Sequence, residues 1–140
     1  MRPPAAAAGG TEPIGQRVIE IPEDAERVKL HDPRATFVAY VPKGSIAKGE
    51  DIVTTGGGKS MACATCHGQG LGGQLLGDAS VPPIAGRSAM YLVRQLYDLK
   101  GGARAGEWSA LMAPVVAGID LDDMVAIAAY VASRPVVSKP

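Results

Sequence analysis

Cys63, Cys66 and His67 stand together in the stretch MACATCHGQG, residues 61–70. They comprise both cysteines of the chain and one of its two histidines. Two thiols and an imidazole at this spacing admit four chemistries. A thioredoxin-like redox pair needs C-x-x-C and usually a βαβ setting, which the sequence does not offer, and it has no use for the histidine. A zinc site needs four ligands, and only His31 and carboxylates remain after these three. Two buried thiols beside an incidental histidine is the third reading. The fourth uses all three residues, because C-x-x-C-H is the attachment signature of c-type haem. Cysteines three apart on the first turn of a helix reach the two vinyl groups along one porphyrin edge. The next residue projects beneath the ring, where His67 can bind iron. Both sulfurs become thioethers, which accounts for the lack of any other cysteine.

A six-coordinate iron needs a second axial ligand, and the candidates are the methionines and His31. Met61 lies two residues before Cys63, on the attachment side. Met90 falls in the first turn of the helix expected from Ser88. Met124 belongs to the apolar stripe of the last helix, a core position. Met112 lies in SALMAPVVAG, read as a loop, with Pro114 two residues on. A loop can turn a thioether inward, and proline stiffens the turn. Met112 is therefore the candidate sixth ligand. His31, in LHDPR, reads as a solvated histidine.

Helices are expected to position these groups. SIAKGEDIV offers Ser45 as an N-cap and stops at Gly56-Gly57-Gly58. SAMYLVRQLYDLK runs from an N-cap at Ser88 to Lys100. DLDDMVAIAAYVAS starts at Asp120 with acids in its first turn, and Met124, Ile127, Ala128 and Val131 repeat at helical spacing. Residues 68–87 and 101–119 read as long loops, the second with at most one short turn near Trp108. Loops of this length imply that something besides side chains organises the interior. Upstream, residues 1–15 read as a flexible lead. RVIEI and TFVAYV, bounded by prolines, read as short extended segments or a small hairpin. The expected division is an N-terminal extension over 1–42, a haem domain over 43–135 and a tail over 136–140.

The motif with Gly68, then PPIAGRSAMYLVRQL, then LMAPVVAGIDLDDMVAIAAYVAS, resembles the bacterial class I c-type cytochromes over residues 45–134. The resemblance implies an all-α cytochrome c fold: three or more short helices and long Gly/Pro loops wrapped around one covalent haem c. It implies His67 and Met112 as axial ligands. It also implies that a proline carbonyl accepts from Nδ1–H of the proximal histidine, here Pro82, with Pro83 as the neighbouring alternative. The first and last helices should cross, with Gly49 close to Tyr130. The family usually has Gln where this chain has Arg87, so Arg87 either pairs with a propionate or faces solvent. Tyr91, Arg104 and Trp108 are candidates for contacts to the propionates or ring edge, with packing or solvation as the alternative. Ala64, Thr65 and Gly68 should allow partners close approach near the thioethers.

The implied function is one-electron transfer, with haem iron cycling between Fe(III) and Fe(II), rather than an enzyme activity. The redox partners would be a dehydrogenase donor and an oxidase or another cytochrome as acceptor. The alternatives are a cytochrome subunit or domain of a larger dehydrogenase or oxidase, or an open-site haem enzyme or gas sensor. The N-terminal segment would cover the haem back face, pack on a partner, or close the core. Periplasmic localisation is expected from the family, although MRPPAAAAGGTEP lacks the apolar core of a signal peptide. Lys+Arg and Asp+Glu balance at 14 each, so there is no basic excess of the kind that marks a nucleic-acid binder. Two propionates would make the reduced holoprotein acidic by about two charges. No apolar run is long enough to span a bilayer.

Overall fold

Asp120 starts the helix on which two others pack. Its carboxylate accepts from the Asp123 N–H at 2.8 Å, and Asp123 Oδ2 accepts from the Asp120 N–H at 3.1 Å. This reciprocal cap satisfies two donors that an open helix start leaves unpaired. The helix it starts, Leu121–Ala132, buries every residue from Asp123 to Val131. That is more than the expected stripe, and it marks a helix covered on all sides.

The computed structural model describes residues 13–137, so most of the flexible lead expected over 1–15 and the end of the tail lie outside the described residues. The elements are β1 (Ile19–Pro22), α1 (Ala25–Lys29), β2 (Phe37–Tyr40), α2 (Ser45–Thr55), α3 (Ala64–His67), β3 (Gln74–Leu76), β4 (Ala79–Val81), α4 (Ala89–Lys100), α5 (Ser109–Ala117) and α6 (Leu121–Ala132). A 3-10 turn covers Gln69–Leu71. α2 and α4 pack on α6, and α5 packs on α4. At the α2–α6 crossing a Cβ on Gly49 would overlap the Ala126 carbonyl and stand 2.9 Å from Cβ of Tyr130. Glycine there lets two backbones meet, and that closeness outweighs its poor helix propensity, about 1 kcal/mol below alanine.

The expected N-terminal strands are present. β1 and β2 pair antiparallel, with Ile19 opposite Tyr40 and Pro22 opposite Phe37. Val18 packs on the core, and Glu20 accepts from the Ser88 hydroxyl and the Met90 N–H at the start of α4. Ser88 in turn caps α4 by accepting from the Tyr91 N–H at 3.1 Å.

Three expectations need correction. The cap of α2 is Gly44 at φ 86°, not Ser45, which is the first helical residue and makes no side-chain cap bond. Residues 68–87 are not a long loop: they contain the 3-10 turn and the β3–β4 hairpin, closed at Gly77 and Asp78. Residues 101–119 hold α5, so Met112 lies on a helix, with Pro114 inside it. Proline removes one helical hydrogen bond. Tertiary packing compensates, because Val116 on α5 and Ile119 just beyond are almost wholly buried.

One charged node fastens the α2–α6 corner. Asp123 is fully buried, with the Lys59 ammonium 2.7 Å from Oδ2 and the Lys48 ammonium 2.8 Å from Oδ1. Burial alone would raise its pKa, but the two ammoniums and the Asp120 N–H outweigh that and hold it well below the usual carboxylate range. A depressed native pKa contributes stability above the unfolded pKa, and this is lost as pH falls through the native one. Asp123→Asn should cost the holoprotein about 2 kcal/mol at pH 7, less than for a fully sealed pair, because the half-exposed lysines return to water. Denaturant unfolding of both proteins between pH 7 and pH 2 checks this. The gap should begin to narrow below about pH 4, where an unfolded aspartate takes up its proton, and keep shrinking as pH falls toward the depressed native pKa. A gap that stays constant with pH contradicts it.

Candidate functional site

Cys63, Cys66 and His67 sit at i, i+3 and i+4 on a single helical turn, which puts all three side chains on one face. Cys63 starts the turn with helical dihedrals, φ −62° and ψ −34°. Its N–H is held by the Val53 carbonyl at 2.9 Å, which ties the motif to the end of α2. Its carbonyl accepts from the N–H groups of Cys66 and His67. Both cysteine side chains are half-buried, and Cys63 packs against the core. Burial would push an unattached Cys63 thiol up to about 11.

His67 is buried, and its Nδ1 lies 2.8 Å from the Pro82 carbonyl oxygen. A carbonyl only accepts, so Nδ1 carries the proton and donates it. Burial lowers the His67 pKa, and the Pro82 acceptor offsets only part of that. The ring is therefore neutral at neutral pH, and the Nε2 lone pair is left for a metal. Of the two prolines considered from sequence, the hydrogen bond falls to Pro82.

Residues 67–85 form a cross-tied collar that holds this carbonyl in place. The His67 carbonyl accepts from the Gly73 N–H at 2.8 Å. The Leu71 carbonyl accepts from the N–H groups of Ile84 and Ala85, and Gln74 Nε2 donates to the Thr65 carbonyl at 3.1 Å. Gly73 adopts φ 79°, and a Cβ on it would stand 2.7 Å from Pro83 N and 2.9 Å from the Pro82 carbonyl carbon. Gly73 is thus a site residue that motif reading missed. Its signal was the Gly72-Gly73 pair just before a β-prone run.

Met112 lies on α5, partly buried against the core. It precedes the fully buried Val116 by four residues, so the two share the inward face of the helix. The other methionines sit as follows: Met61 and Met90 are about half exposed, and Met124 is 2% exposed within the core of α6. His31 is exposed just past α1. Arg87 Nε lies 3.4 Å from the Pro83 carbonyl, and Arg104 donates to Gln95 Oε1 at 2.6 Å. Tyr91 and Trp108 are both about half exposed, at the starts of α4 and α5. Among the described residues no hydrogen bond joins Arg87, Tyr91 or Trp108 to His67 or Met112. Thr65 is exposed and Ala64 half-buried, but Gly68 is buried, so it does not contribute to the exposed edge expected for it.

The donor set fits a covalent haem: two cysteine side chains on one face, a neutral imidazole with one nitrogen anchored, and a thioether on the inward face of α5, partly buried against the same core. Zinc does not fit. Among the described residues no group of three or more His, Cys, Asp or Glu side chains is placed to hold a metal ion.

Comparison with known proteins gives the same assignment. The cytochrome c family profile matches residues 46–135. The chain is 36% identical over 110 residues to the thiosulfate dehydrogenase electron acceptor of Stutzerimonas stutzeri, covering 76% of this chain and 49% of that protein. It therefore spans about half the length of that relative. It is also 36% identical over 91 residues to cytochrome c-554(548) of Halomonas halodenitrificans, covering 65% of this chain and 98% of that one. Among solved structures, thiosulfate dehydrogenase from Marichromatium purpuratum superimposes with a TM-score of 0.55 and 40% identity, over 64% of this chain and 19% of the other. The matched region takes in α3, the collar and helices α2, α4, α5 and α6, and so the chain belongs to the cytochrome c family and carries covalently bound haem c.

Proposed function

We propose that this protein is a one-electron carrier whose haem c is attached through Cys63 and Cys66 and ligated by His67 and Met112. The observation that carries the reading is the buried, neutral imidazole of His67, whose Nδ1–H is committed to Pro82. When bound, the haem supplies an Fe(III)/Fe(II) couple. With His67 and Met112 both holding the iron, the haem would offer substrate no open site, which favours electron transfer over catalysis or gas sensing. The Met112 thioether is a soft, weak donor that favours the ferrous state. The hydrogen bond from His67 to Pro82 makes the imidazole a stronger donor and acts in the opposite direction.

The partners are redox proteins. The relative named as a thiosulfate dehydrogenase electron acceptor supports an enzyme of that kind as donor, and an oxidase or another cytochrome is the acceptor we propose beside it. Partners would approach near Thr65 and Ala64. Attachment of haem c in bacteria takes place outside the cytoplasmic membrane, which supports a periplasmic location. No helix among the described residues is long and apolar enough to cross a membrane. A second reading is a cytochrome subunit or domain of a larger dehydrogenase. It is favoured by the half-length match to the acceptor relative and by the β1–α1–β2 unit, which lies outside residues 46–135 matched by the family profile. The division into an extension over 1–42, a haem domain over 43–135 and a short tail remains our proposal for the domain boundaries.

Two measurements test this reading. Ferric protein should show the weak far-red band of thioether ligation, and ferrous protein should not respond to carbon monoxide. Met112→Ala should abolish the band and open the iron to carbon monoxide; retention of both wild-type behaviours would remove Met112 from the iron. Gly73→Ala should push the Pro82 carbonyl away from His67 and weaken the imidazole donor. The potential should then rise by roughly 20–60 mV, the one-electron equivalent of one hydrogen bond. An unchanged potential in folded Gly73→Ala protein contradicts the tuning role of Pro82.

A further inference from the structure

α5 carries the proposed ligand but has little to hold it in shape by itself. It is nine residues long, below the length at which an isolated helix is stable in water. Its N-cap, Trp108, makes no side-chain cap bond, and no acidic residue lies in its first turn. Pro114 lacks an N–H, so the Ala110 carbonyl has no helical donor four residues on. At the other end, the Ile119 N–H goes to the Val116 carbonyl and not to Val115. The Val115 carbonyl is instead taken by a side chain from another part of the chain: the Ser60 hydroxyl donates to it at 2.7 Å. Its other acceptor among the described residues, the Met61 carbonyl, is at 3.4 Å.

The position of this bond matters more than its strength. Ser60 is three residues before Cys63, and Met112 is three residues before Val115, one helical turn away. The bond therefore links the strand of chain entering the first attachment cysteine to the turn of α5 that bears the thioether. Two more features press the same two segments together. A Cβ on Gly118 would overlap the Lys59 carbonyl, so α5 ends in direct contact with the residue before Ser60. The Lys59 ammonium is in turn held by Asp123, at the start of α6. Lys100 also grips the far side of the corner by donating to the Ile119 carbonyl.

We infer that Ser60 is a positioning residue for the Met112 ligand: its bond to the Val115 carbonyl fixes α5 against the chain that carries the haem attachment. This rests on the reading of Met112 as the sixth ligand. Without the bond, α5 should fray from its C-terminal end, and the thioether should be displaced more easily by an outside ligand. Thr54 provides a control, because its hydroxyl donates to the Glu50 carbonyl at 2.7 Å on the surface of α2 and has no link to α5.

The test is titration of ferric holoprotein with imidazole, read from the far-red band and the main haem absorption. Ser60→Ala should bind imidazole about fivefold more tightly than the wild type, the effect of losing one ordinary hydrogen bond, with a weaker far-red band before titration. Ser60→Thr should restore both. Thr54→Ala should change neither. Gly118→Ala should move affinity in the same direction as Ser60→Ala, because it forces the same two segments apart, and it serves where Ser60→Ala does not fold. If Ser60→Ala lowers only the unfolding midpoint and leaves imidazole affinity and the band unchanged, Ser60 is merely structural and the inference is overturned. If Met112→Ala itself keeps the wild-type band and imidazole affinity, the ligand reading fails first. If Met112→Ala loses the band while Ser60→Ala behaves as wild type, only the inference about Ser60 fails.

Discussion

A neutral imidazole carries its proton on one nitrogen and offers a lone pair from the other, and in this protein the Pro82 carbonyl keeps the proton on Nδ1 of His67. Much of the site is arranged around this one bond. α3 is a single turn, too short to orient a buried ring unaided. The collar does so instead: Gly73 ties back to the His67 carbonyl and leaves room for the Pro82–Pro83 peptide, and Leu71 receives Ile84 and Ala85. Leu71 takes φ 59°, which is rare for a branched residue, and its buried side chain and two accepted bonds hold it there. The glycines of this region therefore serve geometry, not looseness.

The thioether side follows a different logic. His67 is fixed by local hydrogen bonds, whereas Met112 is fixed through packing and a single long-range tie. Val116 anchors the inward face of α5, and Ser60 holds its end. The scaffold behind both sides is the α2–α6 crossing, where Gly49 allows close contact and Lys48 and Lys59 neutralise buried Asp123. Lys59 belongs to both systems, since its backbone meets Gly118 and its ammonium meets Asp123. Stability of the corner and placement of α5 are thus mechanically connected.

What could be read in the sequence was whatever rests on local chemistry. The C-x-x-C-H turn, the caps at Ser88 and Asp120 and the paired N-terminal strands all have short-range signals, and all are present. Pro82 and the Gly49 crossing were reached through family resemblance, not from spacing. α5 was missed because its local signals argue against a helix: a proline in the middle, no capping side chain, and glycines nearby. Tertiary burial of Val116 overrides them. The β3–β4 hairpin was hidden in a glycine-rich run that reads equally well as loop. Ser60 left no trace, because its partner lies 55 residues away.

The central claim is that Met112 and no other methionine lies against the haem face. The proton spectrum of ferrous holoprotein with labelled methionine methyls tests it most directly, since the ring current shifts an axial methyl far upfield. The account predicts one strongly shifted methyl among the five methionines, lost in Met112→Ala. Five methyls at ordinary positions, or a shifted methyl that survives Met112→Ala, would contradict it.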